Sequence, residues 1–248
     1  MIETLPMLAP DLGIDGVQIR VTTRQGGVSS RPYDSLNLGG HVGDVAAHVE
    51  ENQQRLKQTL PVTRLQWLKQ VHGTRVVQAT HATAVEADAQ WTCETGVALG
   101  ILTADCLPVA LATLDGACVG VAHAGWRGLA AGVLESLVAA MPTESGRIIA
   151  WLGPAIGAAA YEVGPEVKDA LMAASGADSQ ECFEPSCERD GHWMADLAGL
   201  ARRRLEAMGI ARVLGGDRCT YSEPEQFFSH RRDGPATGRM ATIIWRES

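Results

Sequence analysis

Short apolar runs constrain this chain more than any other feature of its sequence. Residues 97–103, 109–113, 118–122, 148–152 and 241–245 are almost wholly apolar. Each run is too short for a stable helix and is bounded by turn-forming or polar residues, so each reads as a buried strand. Val17, Ile19 and Val21 alternate with Gln18, Arg20 and Thr22, the period of a half-buried strand. Leu65, Trp67, Lys69 and Val71 predict another. Helical spacing occurs in four places. Residues 44–60 have Asp44 as N-cap and Pro61 as stop, and residues 126–141 repeat Leu129, Val133, Leu134, Leu137 and Val138. Residues 165–172 are opened by Pro165, and residues 196–208 carry an Arg-rich outer face and close at Gly209. Roughly nine strands and four helices, out of strict βαβ order, predict an α+β fold rather than a doubly wound sheet. No linker divides the 248 residues, so one domain, 1–248, is expected.

The charge balance removes some functions. With 21 Lys plus Arg against 29 Asp plus Glu, the net charge is −8. Such a chain is ill suited to grip nucleic acid or an anionic membrane, although a local basic pocket for a small anion remains open. No apolar stretch is long enough to span a bilayer, and the first sixteen residues lack the basic and apolar regions of a secretory signal. A cytoplasmic protein is therefore expected. The 6 cysteines, at 93, 106, 118, 182, 187 and 219, form no C-x-x-C pair and are expected to be free or metal-bound. Phosphate-loop, dinucleotide-binding, nucleophile-elbow and H-E-x-x-H motifs are absent.

Three apolar runs break off at chemically capable residues. VALGILTADCLP reaches Asp105 and Cys106, ACVGVAHAGWRG reaches His123, and WLKQVHGTRVV is interrupted at His72. Three N/S ligands with one open position are the pattern of catalytic zinc. Two other readings stand beside it: each residue acts alone, as a small buried thiol or a hydrogen-bonded imidazole, or Cys106 and His123 form a nucleophile and its base. Asp105, next to the thiol, suits proton transfer or support of a ligand. For anions, Arg127 stands at the start of a helix, and Arg231, Arg232 and Arg239 cluster in FFSHRRDGPATGR; a solvated surface is the alternative for Arg232. The loop of about twenty residues that holds Arg24, Asn37, His41 and Asp44 is long enough to be functional. His48, His81 and His192 lack such settings and are assigned to the surface.

These segments carry a resemblance. TRQGGVS, YDSLNLGGHVGD, QVHG (70–73), TADCLPV (103–109), AHAGWRGL (122–129), LGPAIG (152–157), YEVG (161–164), GGDRCTY (215–221) and FFSHRRDGPATGR (227–239), in this order, resemble the YfiH family, also known as laccase-like or multicopper polyphenol oxidase proteins. The resemblance covers nearly the whole chain. It implies a mixed β-sandwich flanked by helices, and a zinc site at His72, Cys106 and His123. It also implies purine nucleoside phosphorylase activity on adenosine, inosine, guanosine and S-methyl-5′-thioadenosine, with phosphate as co-substrate, adenosine deamination as a companion activity and a link to peptidoglycan editing. Asp105, Cys106 and His123 become the expected catalytic groups, and Arg24, Asn37, Gln70, Arg127, Arg231 and Arg239 the expected binders of nucleoside and phosphate. His230 departs from the family pattern, which implies Tyr there. A laccase reading fits poorly, because 7 His are few for a cluster of several coppers; one copper in place of zinc remains possible.

Overall fold

The computed structural model describes residues 5–80, 84–175 and 177–247. Two sheets carry most of the apolar runs. A five-stranded sheet runs in the order Met7–Leu8, Val17–Thr22, Met240–Arg246, Val97–Thr103, Arg64–Gln66. A six-stranded sheet runs Arg212–Gly215, Ile148–Leu152, Leu107–Thr113, Val119–Ala124, Ala89–Thr92, Val76–Gln78. Alternate residues of each strand point into the space between the sheets. Ile19, Val21, Leu99, Ile101 and Ile244 from one sheet meet Ala110, Ala112, Val121, Ile149 and Trp151 from the other.

The other face of each sheet is covered by helices. Leu56 of α1 (Ala46–Thr59) packs with Ala98, Ile243 and Trp245 of the five-stranded sheet. Over the six-stranded sheet lie α2 (Trp126–Ala131), α3 (Val133–Ala140), α4 (Pro165–Ser175) and α5 (Leu197–Ala207). Leu129, Leu134, Leu137, Leu200 and Leu205 meet Val109, Leu111, Ile148 and Ala150 there. Burial on both faces explains why these strands read as unbroken apolar runs. The architecture is the expected α+β sandwich with flanking helices. α6 is the short His230–Asp233.

Several local expectations change. The helix expected over 126–141 is two helices, parted at Gly132, whose φ of 98° is left-handed and breaks the repeat. Asp44 does not cap α1. Its carboxylate accepts from Ser29 Oγ, Asn37 Nδ2 and the Val45 N–H, and Val45 occupies the cap position without a side-chain bond. The strand expected over 65–71 splits into Arg64–Gln66 and Leu68–Lys69, which pair with different partners. On α5, Arg204 is buried against Glu135, and Arg202 donates to the Val213 and Gly215 carbonyls, so the Arg-rich face is in part an inner one. The expectation that every cysteine is free or metal-bound fails for Cys93 and Cys118, which form a disulfide. The antiparallel pairing of Thr92 with Val119 sets these two side by side, a register invisible in local sequence.

Candidate metal centre

Strand pairing assembles the centre. In the antiparallel pair of Leu107–Thr113 with Val119–Ala124, His123 faces Pro108 and Ala124 faces Leu107. Cys106 is the next residue outward and so sits beside the turn that follows Ala124. The strand Ala89–Thr92 flanks the other side and pairs Ala89 with Ala122. Asp88, just before it, accepts the His123 N–H through its carbonyl at 2.7 Å.

His72 enters from the 70–73 turn, and Asp88 holds it there. The Asp88 carboxylate, with no exposed surface, accepts from the N–H groups of Val71 (3.1 Å), His72 (2.9 Å) and Gly73 (2.7 Å), and from His123 Nδ1 (2.8 Å). Burial pushes the Asp88 carboxyl up, but the bonds from His123 and the turn N–H groups, with the His123 charge, outweigh it and hold the acid below its usual range. Donation from His123 Nδ1–H turns Nε2 toward the cluster, the carboxylate–histidine arrangement that supports metal ligands.

The donor atoms of His72, Cys106 and His123 lie within 4.8 Å of one another. Cys106 Sγ is 3.8 Å from His72 Nε2, and the two imidazoles meet edge to face at 4.7 Å between centroids. Tetrahedral zinc, with Zn–N about 2.0 Å and Zn–S about 2.3 Å, places its ligand atoms roughly 3.3–3.8 Å apart. The donor set therefore fits a metal ion after small side-chain shifts. The centre is half open: His123 is buried, Cys106 intermediate and His72 exposed.

Two backbone features confirm how tightly the centre is set. His72 (φ 61°) and Asp105 (φ 86°) are the non-glycine residues in the left-handed region among the described residues, and both adjoin the cluster. Such conformations cost roughly 1–3 kcal/mol each and persist where surrounding bonds enforce them. At Gly125 a Cβ would stand 2.9 Å from Cys106 Sγ and 3.1 Å from His72 Cδ2, so only glycine leaves the donors their space.

Electrostatics couple the thiol to its neighbour. Burial pushes the Cys106 thiol up, but the His123 charge and hydrogen bonds from both imidazoles bring it down to about 6. Burial lowers His123, but the Cys106 charge and the bond to Asp88 raise it to about 9.

The remaining predicted residues divide. Asp105 is spent on scaffolding: Oδ1 accepts from Thr220 Oγ1 (2.6 Å), Oδ2 from the Arg231 N–H (2.7 Å), and its carbonyl from the Ile156 N–H (3.0 Å). It thereby draws three distant segments to the edge of Cys106. Arg231 donates to the Glu162 carbonyl and lies over the Tyr161 ring, and Arg127 lies over the neighbouring Trp126 ring. Burial pushes the Arg239 guanidinium down, opposed by the nearby Cys106 and Asp105 charges. None of these three guanidinium groups is ion-paired with a carboxylate among the described residues.

Asn37 and Gln70 stand back from the centre. Asn37 is fully buried, its amide bonded to Gly39, Asp44 and the Arg239 N–H, so it positions Arg239. Gln70 exchanges two bonds with the Leu102 backbone and fastens the His72 turn to the sheet. Arg24 is not brought to the cluster. It donates to the Asp34 and Pro224 carbonyls and lines a cavity of about 430 Å³ with Gln25, Arg31, Asp34, Ser35, Pro224 and Glu225. Arg232 clamps the Thr220, Tyr221 and Phe227 carbonyls instead of pointing into solvent. His48 and His192 are half-buried and His230 exposed, whereas His81 lies outside the described residues. Sequence reasoning missed Asp88; its one local signal is an acid between two alanines directly before a strand.

Residues 18–247 match the family described as multi-copper polyphenol oxidoreductase laccase. The purine nucleoside phosphorylase YfiH of Escherichia coli is 48% identical over 234 residues, covering 93% of this chain and 94% of that one. The chain belongs to the YfiH family. Another YfiH-family relative, a purine nucleoside phosphorylase of Pseudomonas aeruginosa, is 50% identical over 229 residues, covering 92% of this chain and 93% of its own. The crystal structure of a Neisseria meningitidis protein superposes with a TM-score of 0.93 at 43% identity, covering 98% of this chain and 99% of that one. YlmD from Geobacillus stearothermophilus superposes with a TM-score of 0.89 at 33% identity, covering 96% and 94%. The YfiH-type fold is thus shared end to end.

Proposed function

We propose that this chain is a zinc-dependent purine nucleoside phosphorylase that cleaves adenosine, inosine, guanosine and S-methyl-5′-thioadenosine with phosphate, and that it deaminates adenosine as a companion activity. The observation that carries the reading is the gathering of the His72, Cys106 and His123 donor atoms within 4.8 Å of one another, with the Arg231 N–H bonded to Asp105 beside Cys106 and Arg127 in the first turn of the helix that follows His123. Relatives that carry the phosphorylase name match more than nine-tenths of its length.

Phosphorolysis requires a bound oxyanion beside the ribose carbon, and positive charge held ready for it. Arg231 and Arg239 flank Asp105 and Cys106, and Arg127 opens the helix after His123. Asp105 acts through the segments it anchors. Asp88 keeps His123 oriented and its Nδ1 protonated. His72, Cys106 and His123 would hold a zinc ion, or one copper in its place, and such an ion would supply Lewis acidity to a substrate oxygen or to the water needed for deamination. A multi-copper oxidase requires many imidazoles, and one group of three donors, two of them imidazoles, gathers among the described residues. The test combines metal analysis of the purified protein with chromatography of adenosine incubated with and without phosphate. Adenine and ribose 1-phosphate are expected; inosine alone would leave only the deaminase, and no product would remove the reading.

A second reading rests on the lowered Cys106 thiol and raised His123, the pairing of a cysteine nucleophile with its base, which suits a hydrolase acting on a peptidoglycan precursor. Cleavage of such a precursor by metal-free protein, abolished by a thiol-alkylating reagent, is its test.

A further inference from the structure

The loop of residues 24–35 and the turn of residues 224–226 border a cavity of about 430 Å³ that shares no lining residue with the candidate metal centre. Hydrogen bonds between the two segments fix its walls. The Arg24 N–H donates to the Gln226 carbonyl (2.8 Å), Arg24 Nη1 to the Pro224 carbonyl (3.0 Å) and Gln25 Nε2 to the Glu225 carbonyl (2.7 Å). Within the loop, Arg24 Nε donates to the Asp34 carbonyl (3.0 Å), and the Ser35 N–H donates to the Arg24 carbonyl (2.7 Å). The Arg24 guanidinium carbon also lies 4.7 Å from the centroid of the Phe228 ring, so the fold itself sets the shape of the cavity.

Four charged side chains line this cavity, and only two of them meet. Arg24 Nη2 stands 3.7 Å from Asp34 Oδ1, so these charges offset each other. Arg31 on the loop and Glu225 on the turn are exposed, and neither side chain has a hydrogen-bond or ion-pair partner among the described residues. One cation and one anion therefore border the same space from different segments without neutralising each other. A cation alone selects an anion and an acid alone a cation; the two together select a molecule that carries both charges. Between them the Gln25 amide oxygen and Ser35 Oγ offer hydrogen bonds to an uncharged polar group. The volume lies at the small end of the roughly 300–1,000 Å³ usual for ligand sites. An extended dipeptide, at about 3.3–3.6 Å per residue, is roughly 7 Å long and suits a cavity of that size.

We propose that this cavity binds a small zwitterion of dipeptide length, with its carboxylate on Arg31 and its ammonium on Glu225. The site stands apart from the His72–Cys106–His123 centre and does not depend on the phosphorylase reading. Glycylglycine is the probe, and binding is followed by NMR titration of the backbone and side-chain N–H signals. Saturable shifts are expected at Gln25, Arg31 and Glu225. N-acetylglycylglycine and glycylglycinamide each lack one terminal charge and should bind about tenfold more weakly, the size of one lost hydrogen bond between charged groups. Arg31→Gln and Glu225→Gln should each weaken glycylglycine by a similar factor and leave metal content unchanged. Both positions are exposed, so the variants keep the fold. Absence of saturable shifts at these residues overturns the proposal, as do blocked dipeptides that bind within twofold of glycylglycine. Acetate binding as tightly as glycylglycine, and unaffected by Glu225→Gln, would leave an anion site only and overturn it too.

Discussion

Replacing Asp88 by Asn should weaken metal binding at the candidate centre before anything else. The carboxylate accepts four hydrogen bonds, three from the 71–73 turn and one from His123 Nδ1. An amide of the same shape offers one acceptor oxygen and turns an NH₂ group toward donors, so about half of the four lose their partner. Each buried orphan costs about 1–3 kcal/mol, which places the metal-free protein roughly 2–6 kcal/mol below the wild type. The turn also holds His72 at a φ of 61°, a conformation that depends on those bonds. Loss of the partner behind a ligating imidazole typically weakens metal binding by about 10–100-fold. Competition against a chromogenic chelator measures the affinity, and calorimetry of the chelator-treated protein measures the stability. A metal affinity within threefold of the wild type would refute the argument that Asp88 organises the centre.

Other perturbations test separate links. Gly125→Ala should displace Cys106 or His72, because its Cβ would stand 2.9 Å from Sγ and 3.1 Å from Cδ2; zinc content by mass spectrometry is expected to fall well below one per chain. In the metal-free protein, alkylation of Cys106 by iodoacetamide should rise as pH passes about 6, since the thiolate forms above its lowered pKa. A profile that rises only above about 8 would show that His123 and His72 do not stabilise the thiolate, and added zinc should protect the thiol. Serine at both Cys93 and Cys118 removes a crosslink spanning 25 positions and should lower stability by about 3 kcal/mol in denaturant titration, leaving metal content unchanged.

Much of the candidate site was readable before folding because thiol and imidazole groups at the ends of apolar strands leave a local mark. An apolar run that stops at Cys106 or at His123 contradicts its own surroundings, and that contradiction is visible in ten residues. The supporting groups leave no such mark. Asp88 differs from a surface acid only through what the 70–73 turn does. Arg24, in the same motif-rich loop as Asn37, is drawn to the Pro224 side instead of the cluster by bonds across 200 positions of chain.

Composition and periodicity alone determined the acidic charge, the strand-forming runs and the helix over 46–59, because side-chain alternation and helical spacing are properties of neighbouring residues. Tertiary structure decided which runs pair, and with that the Cys93–Cys118 bond, the meeting of His72 with Cys106 and His123, and the carboxylate behind them. Strand register and loop docking are settled by burial and hydrogen bonds between segments far apart in the chain, a quantity that no local window contains.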